Sequence, residues 1–259
     1  MKNIFLKTAM IFIVISLIFT SCKKEPVQPN PDTATTQALS LNIAPVADAS
    51  PLNFYSSFTT TSGQRYTLSM FRYYVSNIRL VKADGGEYPI TGKYLLVNPS
   101  NSNYDLGQVP VGSYKGIKFD VGLDSTTNHA DPTVYPVTNP LAIQSPAIHW
   151  DWNSGYIFMM IEGSCDTTAN NSDVLTYGQY SHGMFFHIGM DMMLRTVDLS
   201  TSPFTVTATD SKQLNIQADI NKFFNGIDLK TQNASHTMGS MPLATTAANN
   251  ISSMFSVKQ

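Results

Sequence analysis

Both tryptophans of the chain fall in one short run, Ile148-His149-Trp150-Asp151-Trp152-Asn153-Ser154-Gly155-Tyr156, beside one histidine and one aspartate. Side chains of an extended backbone alternate, so Trp150 and Trp152 would share one face and His149 and Asp151 the other. In the plainer reading the indoles are core anchors, because tryptophan buries a large area and its N–H finds a partner. In the sharper one His149 or Asp151 binds a ligand, and an electron-rich indole lies beside the bound group.

A second concentration runs Tyr180-Ser181-His182-Gly183-Met184-Phe185-Phe186-His187-Ile188-Gly189-Met190-Asp191-Met192-Met193. As a regular strand it aligns Met184, Phe186, Ile188, Met190 and Met192 on one apolar face, the usual role of methionine being core filling. His187 then lies on the opposite face. His182 is an odd number of positions away, so the two imidazoles point apart unless the chain bulges or turns at Gly183.

Two further histidines sit in polar loops, His129 in Asp124-Ser125-Thr126-Thr127-Asn128-His129-Ala130-Asp131-Pro132 and His236 in Ser235-His236-Thr237-Met238. Asp124 and Asp131 offer oxygens to calcium, but no EF-hand register accompanies them. A histidine site without paired thiols favours copper or zinc. Neutral imidazoles are the ligands, so affinity would fall below about pH 6.5 as protons compete.

Enzyme signatures are missing: there is no Gly-rich phosphate loop, no G-x-S-x-G elbow, no H-E-x-x-H and no C-x-x-C. The expectation is a binding protein and not an enzyme. A net charge of -2 with 13% charged residues supplies no basic face for nucleic acid.

The elements that must position these residues read as strands. Leu39, Leu41 and Ile43 alternate onto one face, and strand-like runs follow at 52–59, 67–83, 92–97, 112–123, 156–162, 183–194, 204–208 and 213–218. Gly, Asn, Asp and Pro punctuate them. Many short strands without βαβ alternation predict an all-β fold, a sandwich or distorted barrel of antiparallel strands. Helix is expected only near the C-terminus, as a turn or two at 219–226 and a short helix at 244–255, where Ile251, Met254 and Phe255 form an apolar stripe.

The N-terminus carries Lys2 and Lys7 around an apolar run from Ala9 to Phe19, the layout of a secretory signal. Thr20-Ser21-Cys22 resembles a bacterial lipobox, with Phe19 where that pattern prefers leucine. The expected organisation is a signal peptide over 1–21, a tether over 22–37 lipidated at Cys22, and one β domain over 38–259. Three prolines and no apolar cluster make the tether extended. Acyl chains at Cys22 would hold the protein on a membrane of the cell envelope, on its periplasmic face or at the cell surface. Cys165 would then be the one remaining thiol, which precludes an intramolecular disulfide.

Taken in order, Phe71-Arg72-Tyr73-Tyr74-Val75-Ser76-Asn77-Ile78-Arg79-Leu80, Asn128-His129-Ala130-Asp131-Pro132, His149-Trp150-Asp151-Trp152-Asn153-Ser154-Gly155-Tyr156 and Phe186-His187-Ile188-Gly189 resemble the MbnP family. Asn249-Asn250-Ile251-Ser252-Ser253-Met254-Phe255 resembles its ending, so the likeness spans about Leu39 to Val257. The resemblance implies an extracytoplasmic β protein that binds copper, as Cu(I), for acquisition, storage or delivery. It implies two histidine ligands beside a tryptophan that a diheme peroxidase-like partner oxidises to kynurenine. Carried onto this chain, His187 is the first ligand, His149 and His129 compete for the second place, and Trp150 or Trp152 is the indole to be oxidised. The alternative is a lipid-anchored surface module that binds glycan or protein through exposed aromatics, without metal.

Overall fold

The computed structural model describes residues 35–48, 50–151, 155–175 and 183–258. The expected signal segment, Cys22 and nearly all of the tether lie outside the described residues, as do Trp152 and His182. In chain order the first strands are β1 (Thr36–Ala47), β2 (Ser50–Pro51), β3 (Phe58–Thr59) and β4 (Arg65–Lys82). Next come β5 (Glu87–Pro89), β6 (Leu95–Val97), β7 (Asn103–Pro110) and β8 (Gly112–Val121). After helix α1 (Ser125–Asn128) follow β9 (His149–Trp150), β10 (Gly155–Cys165), β11 (Gly183–Gly189), β12 (Arg195–Leu199), β13 (Phe204–Val206) and β14 (Lys212–Asp219). Helix α2 (Ile220–Phe223), β15 (Ala234–Ser235), helix α3 (Met241–Ile251) and β16 (Phe255–Val257) complete the order.

Strand outweighs helix, 47% against 13%, and the curled sheets form a half-barrel, so the fold is the all-β one expected. A five-stranded sheet is ordered β16-β14-β1-β2, with β7 also on β1. An eleven-stranded sheet has the spine β12-β8-β4-β10-β11-β15, with shorter strands added to β4, β8 and β10. Pairing is antiparallel except for β1 with β14 and β11 with β15. Those two parallel pairings join segments far apart in sequence, a long-range choice that local alternation does not encode.

Leu39, Leu41 and Ile43 are buried on one face of β1, as their spacing requires. The long central strand β4 is rich in Tyr, Phe, Val, Ile and Leu and is buried on both faces through most of its length. One of its faces meets the helices and the smaller sheet: Tyr73 packs edge-on against Phe255 at 5.7 Å, and Phe186 of β11 against Phe223 at 5.4 Å. The opposite face, which carries Arg72 and Tyr74, is covered by the segment between β8 and β10. Arg72 Nη1 donates to the Pro146 carbonyl at 2.7 Å, Tyr74 Oη to Pro140 at 3.1 Å and Tyr156 Oη to Leu141 at 2.6 Å.

Three sequence expectations shift. The run 183–194 is not one strand, since β11 stops at Gly189 and Met190 turns the chain at φ 79°. Met184 stays in the core and Met190 packs against it partly buried, whereas Met192 is exposed. The last helix starts at Met241 with a proline in its first turn and ends at Ile251, leaving Phe255 to β16. Of the run 52–59, only Phe58–Thr59 is strand.

Candidate metal-binding face

His187 sits in β11 opposite Met160 of β10, which in turn stands opposite Arg72 of β4. It therefore projects to the covered face, away from Phe186 and Ile188, as the alternation predicted. Glu162 lies two residues along β10 on the same face, the diagonal neighbour in an antiparallel ladder. Its Oε1 is 2.8 Å from His187 Nε2. The hydrogen bond from His187 holds the Glu162 carboxyl below its ordinary range against the opposing effect of burial. A carboxylate has only acceptors, so the proton rests on Nε2 and the lone pair of neutral His187 is on Nδ1.

The neighbour of His187 is one that sequence spacing did not select. Strand β15 runs parallel to β11, with Phe185 opposite Ala234 and Phe186 opposite Ser235. His236 is therefore next in register with His187, and the two rings stand 4.7 Å apart at 68°. Phe185 packs on His236 at 4.4 Å. Burial, followed by the nearby His187, lowers the His236 pKa and favours the neutral, ligating form. Nothing local marks His236 in a polar loop; only the long-range β11–β15 pairing makes it a partner.

His129 and Trp150 belong to a second grouping on this face. Asp124 caps α1 by accepting from Thr127 N–H, and His129 follows directly as the C-cap residue. His129 Nε2 lies 3.3 Å from Asp191, just beyond the end of β11. Asp191 also accepts from Ser125 Oγ at 2.5 Å and from Asn128 Nδ2 at 2.8 Å. Burial pulls the Asp191 pKa up, but these hydrogen bonds and His129 outweigh it, and the carboxyl stays below its ordinary range. Asn128, His129, Trp150, Gly155, Met190, Asp191 and Met192 line an open pocket of about 260 Å³. Trp150 is 6% exposed, so it anchors the core and borders the pocket at once.

His149 is apart from both groupings in its contacts, packing edge-on against Tyr156 at 4.9 Å across the β9–β10 pair. Of the three histidines proposed from sequence, His187, His149 and His129, each thus has its own surroundings, and among the described residues no three His, Cys, Asp or Glu side chains are arranged so that all could hold one metal ion. Cys165 is buried, and burial pushes its thiol up to about 11, so it stays protonated and inert toward metal. Exposed large hydrophobic residues are scattered among the described residues, with Tyr55 the one aromatic among them.

These features define a class: a curled β protein that carries paired imidazoles and a buried indole on one sheet face. The MbnP family profile matches residues 36–240, and the chain belongs to that family. MbnP from Methylosinus trichosporium is similar in fold, with a TM-score of 0.52 and 19% identity over 75% of this chain and 80% of that one. The comparison with curated proteins returned no match.

Proposed function

We propose that this chain is a copper-binding lipoprotein of the bacterial cell envelope that takes up, stores or delivers Cu(I), without catalysis of its own. The observation that carries the reading is the His187–His236 pair, two imidazoles 4.7 Å apart with Glu162 against the first. Two imidazoles this close would be the residues to hold one copper ion, each offering a ring nitrogen. Glu162 acts behind His187, fixing its tautomer and ring orientation, as carboxylates do behind ligating histidines. The donor set fits copper: two imidazoles, no thiolate, and a face reached from solvent through exposed His236.

Trp150 supports the rest of the family reading. Its indole lies over Gly189, the next residue after His187 on the same strand face. It is the described candidate for oxidation to kynurenine by a diheme peroxidase-like partner, and Cys22 remains the site proposed for the membrane anchor. His236 replaces His149 and His129 as the second ligand of His187.

An anaerobic Cu(I) competition titration of the full chain tests this. One-to-one binding that is lost in His187→Ala and weakened in His236→Ala, but kept in His149→Ala, is the expected result. Equal binding by all three variants would sink the assignment.

A further inference from the structure

Strand β15 ends at Ser235, one residue before His236, yet its register with β11 continues past that end. In a parallel ladder the residue facing Ile188 would donate its N–H to the His187 carbonyl and accept the Gly189 N–H with its own carbonyl. That residue is Thr237, next after His236. Its side chain makes both bonds instead: Thr237 Oγ1 donates to the His187 carbonyl at 2.7 Å and accepts the Gly189 N–H at 3.1 Å. One hydroxyl thus stands in for the backbone of a continued strand.

The main chain of Thr237 is thereby released to turn. It adopts φ 60° and ψ -76°, and the Met238 N–H donates to the His236 carbonyl at 2.8 Å, so His236, Thr237 and Met238 form a γ-turn with a positive central φ. That turn is rare and strained, and a β-branched residue suits it badly. The surroundings hold it in place. Thr237 is fully buried, its N–H donates to Ser235 Oγ at 3.1 Å, and its carbonyl accepts the Ser240 N–H at 3.1 Å. Strain sustained in this way clusters at functional sites. Phe185 packs on the ring of His236, and the Thr237 hydroxyl fixes the main chain from which that exposed ring projects.

We propose that Thr237 is the positioning residue of the imidazole pair: its hydroxyl locks the strained turn to β11 and holds His236 beside His187 before any ligand arrives. The proposal rests on the reading of that pair as the copper site. A preformed pair binds an ion without first having to order an exposed side chain, which raises affinity with no further ligand. A serine hydroxyl at 237 meets the same need. A methyl group there leaves the His187 carbonyl and the Gly189 N–H without their partner.

Thr237→Val and Thr237→Ser in the full chain test this, each by two readouts. In the ligand-free chain, NOEs between the His187 and His236 ring protons are expected in the parent and in Thr237→Ser, and are expected to vanish in Thr237→Val. In anaerobic Cu(I) competition titrations Thr237→Val should bind about ten- to a hundredfold more weakly, the usual loss when a group behind a ligand is removed, while Thr237→Ser keeps the parent affinity. Thr237→Gly serves the same purpose should the valine variant not fold, since glycine accepts the positive φ and lacks the hydroxyl. Ring contacts and affinity unchanged in the valine or glycine variant would overturn the proposal. A parent chain that binds no Cu(I) would end the copper reading alone, and the ring contacts would still decide whether Thr237 sets the pair.

Discussion

Trp150 occupies the space that a side chain on Gly189 would need. A Cβ built at Gly189 would stand 2.5 Å from Cη2 of the indole, 2.6 Å from Cζ3 and 2.6 Å from the Tyr156 carbonyl oxygen. The glycine that ends β11 thereby admits the indole to the face that carries His187, and the strand and the tryptophan segment are fitted to each other.

Gly189→Ala is accordingly expected to destabilise the fold by about 1–3 kcal/mol, the usual cost of overpacking, because a backbone oxygen as well as the indole stands in the way. Urea unfolding measures the loss. In a Trp152→Phe background, where Trp150 is the sole indole, a shifted emission maximum reports the displaced ring. An unchanged midpoint and emission would show that the contact is not tight.

Asn128 joins the loop to the sheet. It is buried, accepts the Tyr156 N–H at 2.8 Å and donates to Asp191 at 2.8 Å. Asn128→Ala leaves a buried backbone N–H without its acceptor, and we expect a loss of about 1–3 kcal/mol in denaturant titrations. Asp191 also loses a donor, so the His129 ring should broaden in NMR spectra while His187 stays unaffected. A neutral substitution would contradict this account.

Asp219 yields a pH dependence of definite sign. It caps α2 by accepting from Asn221 N–H at 3.1 Å and also accepts from Asp48 N–H at 3.0 Å. Burial raises its pKa above the ordinary 3.8 despite those hydrogen bonds, and the nearby Asp48 adds to the rise. The folded chain thus keeps a proton that the unfolded chain has already released. The contribution of this group is full below the unfolded value and is lost as pH rises through the folded one. Asparagine caps as well as aspartate. Asp219→Asn should therefore lose less stability than the parent between pH 4 and neutrality, as read by urea midpoints across that range. A parallel pair of pH profiles would refute it.

Much of the fold was legible in the sequence because alternation is a local property. Leu39, Leu41 and Ile43 face inward on β1, and His187 points away from Phe186 and Ile188, both as a period of two requires. The end of β11 was not legible, since Met190 and Met192 continue the apolar pattern beyond the strand. Strand β7, with its polar Asn103, Asp105 and Gln108, also escaped pattern reading and is strand because it pairs with β1.

The histidines divide along the same line. Sequence alone determined the all-β class, the family resemblance and the face of β11 that carries His187, because each rests on residue type, local spacing or motif order. The tertiary structure alone decided that His236 stands beside His187, that Asp191 holds His129, and that Met190 and Met192 line the pocket. Those neighbours come together through the parallel β11–β15 pairing, the packing of Trp150 over Gly189 and the loop at Asn128. Each is a contact between segments distant along the chain, set by which strand edges and side chains meet, and periodicity within a segment carries no record of it.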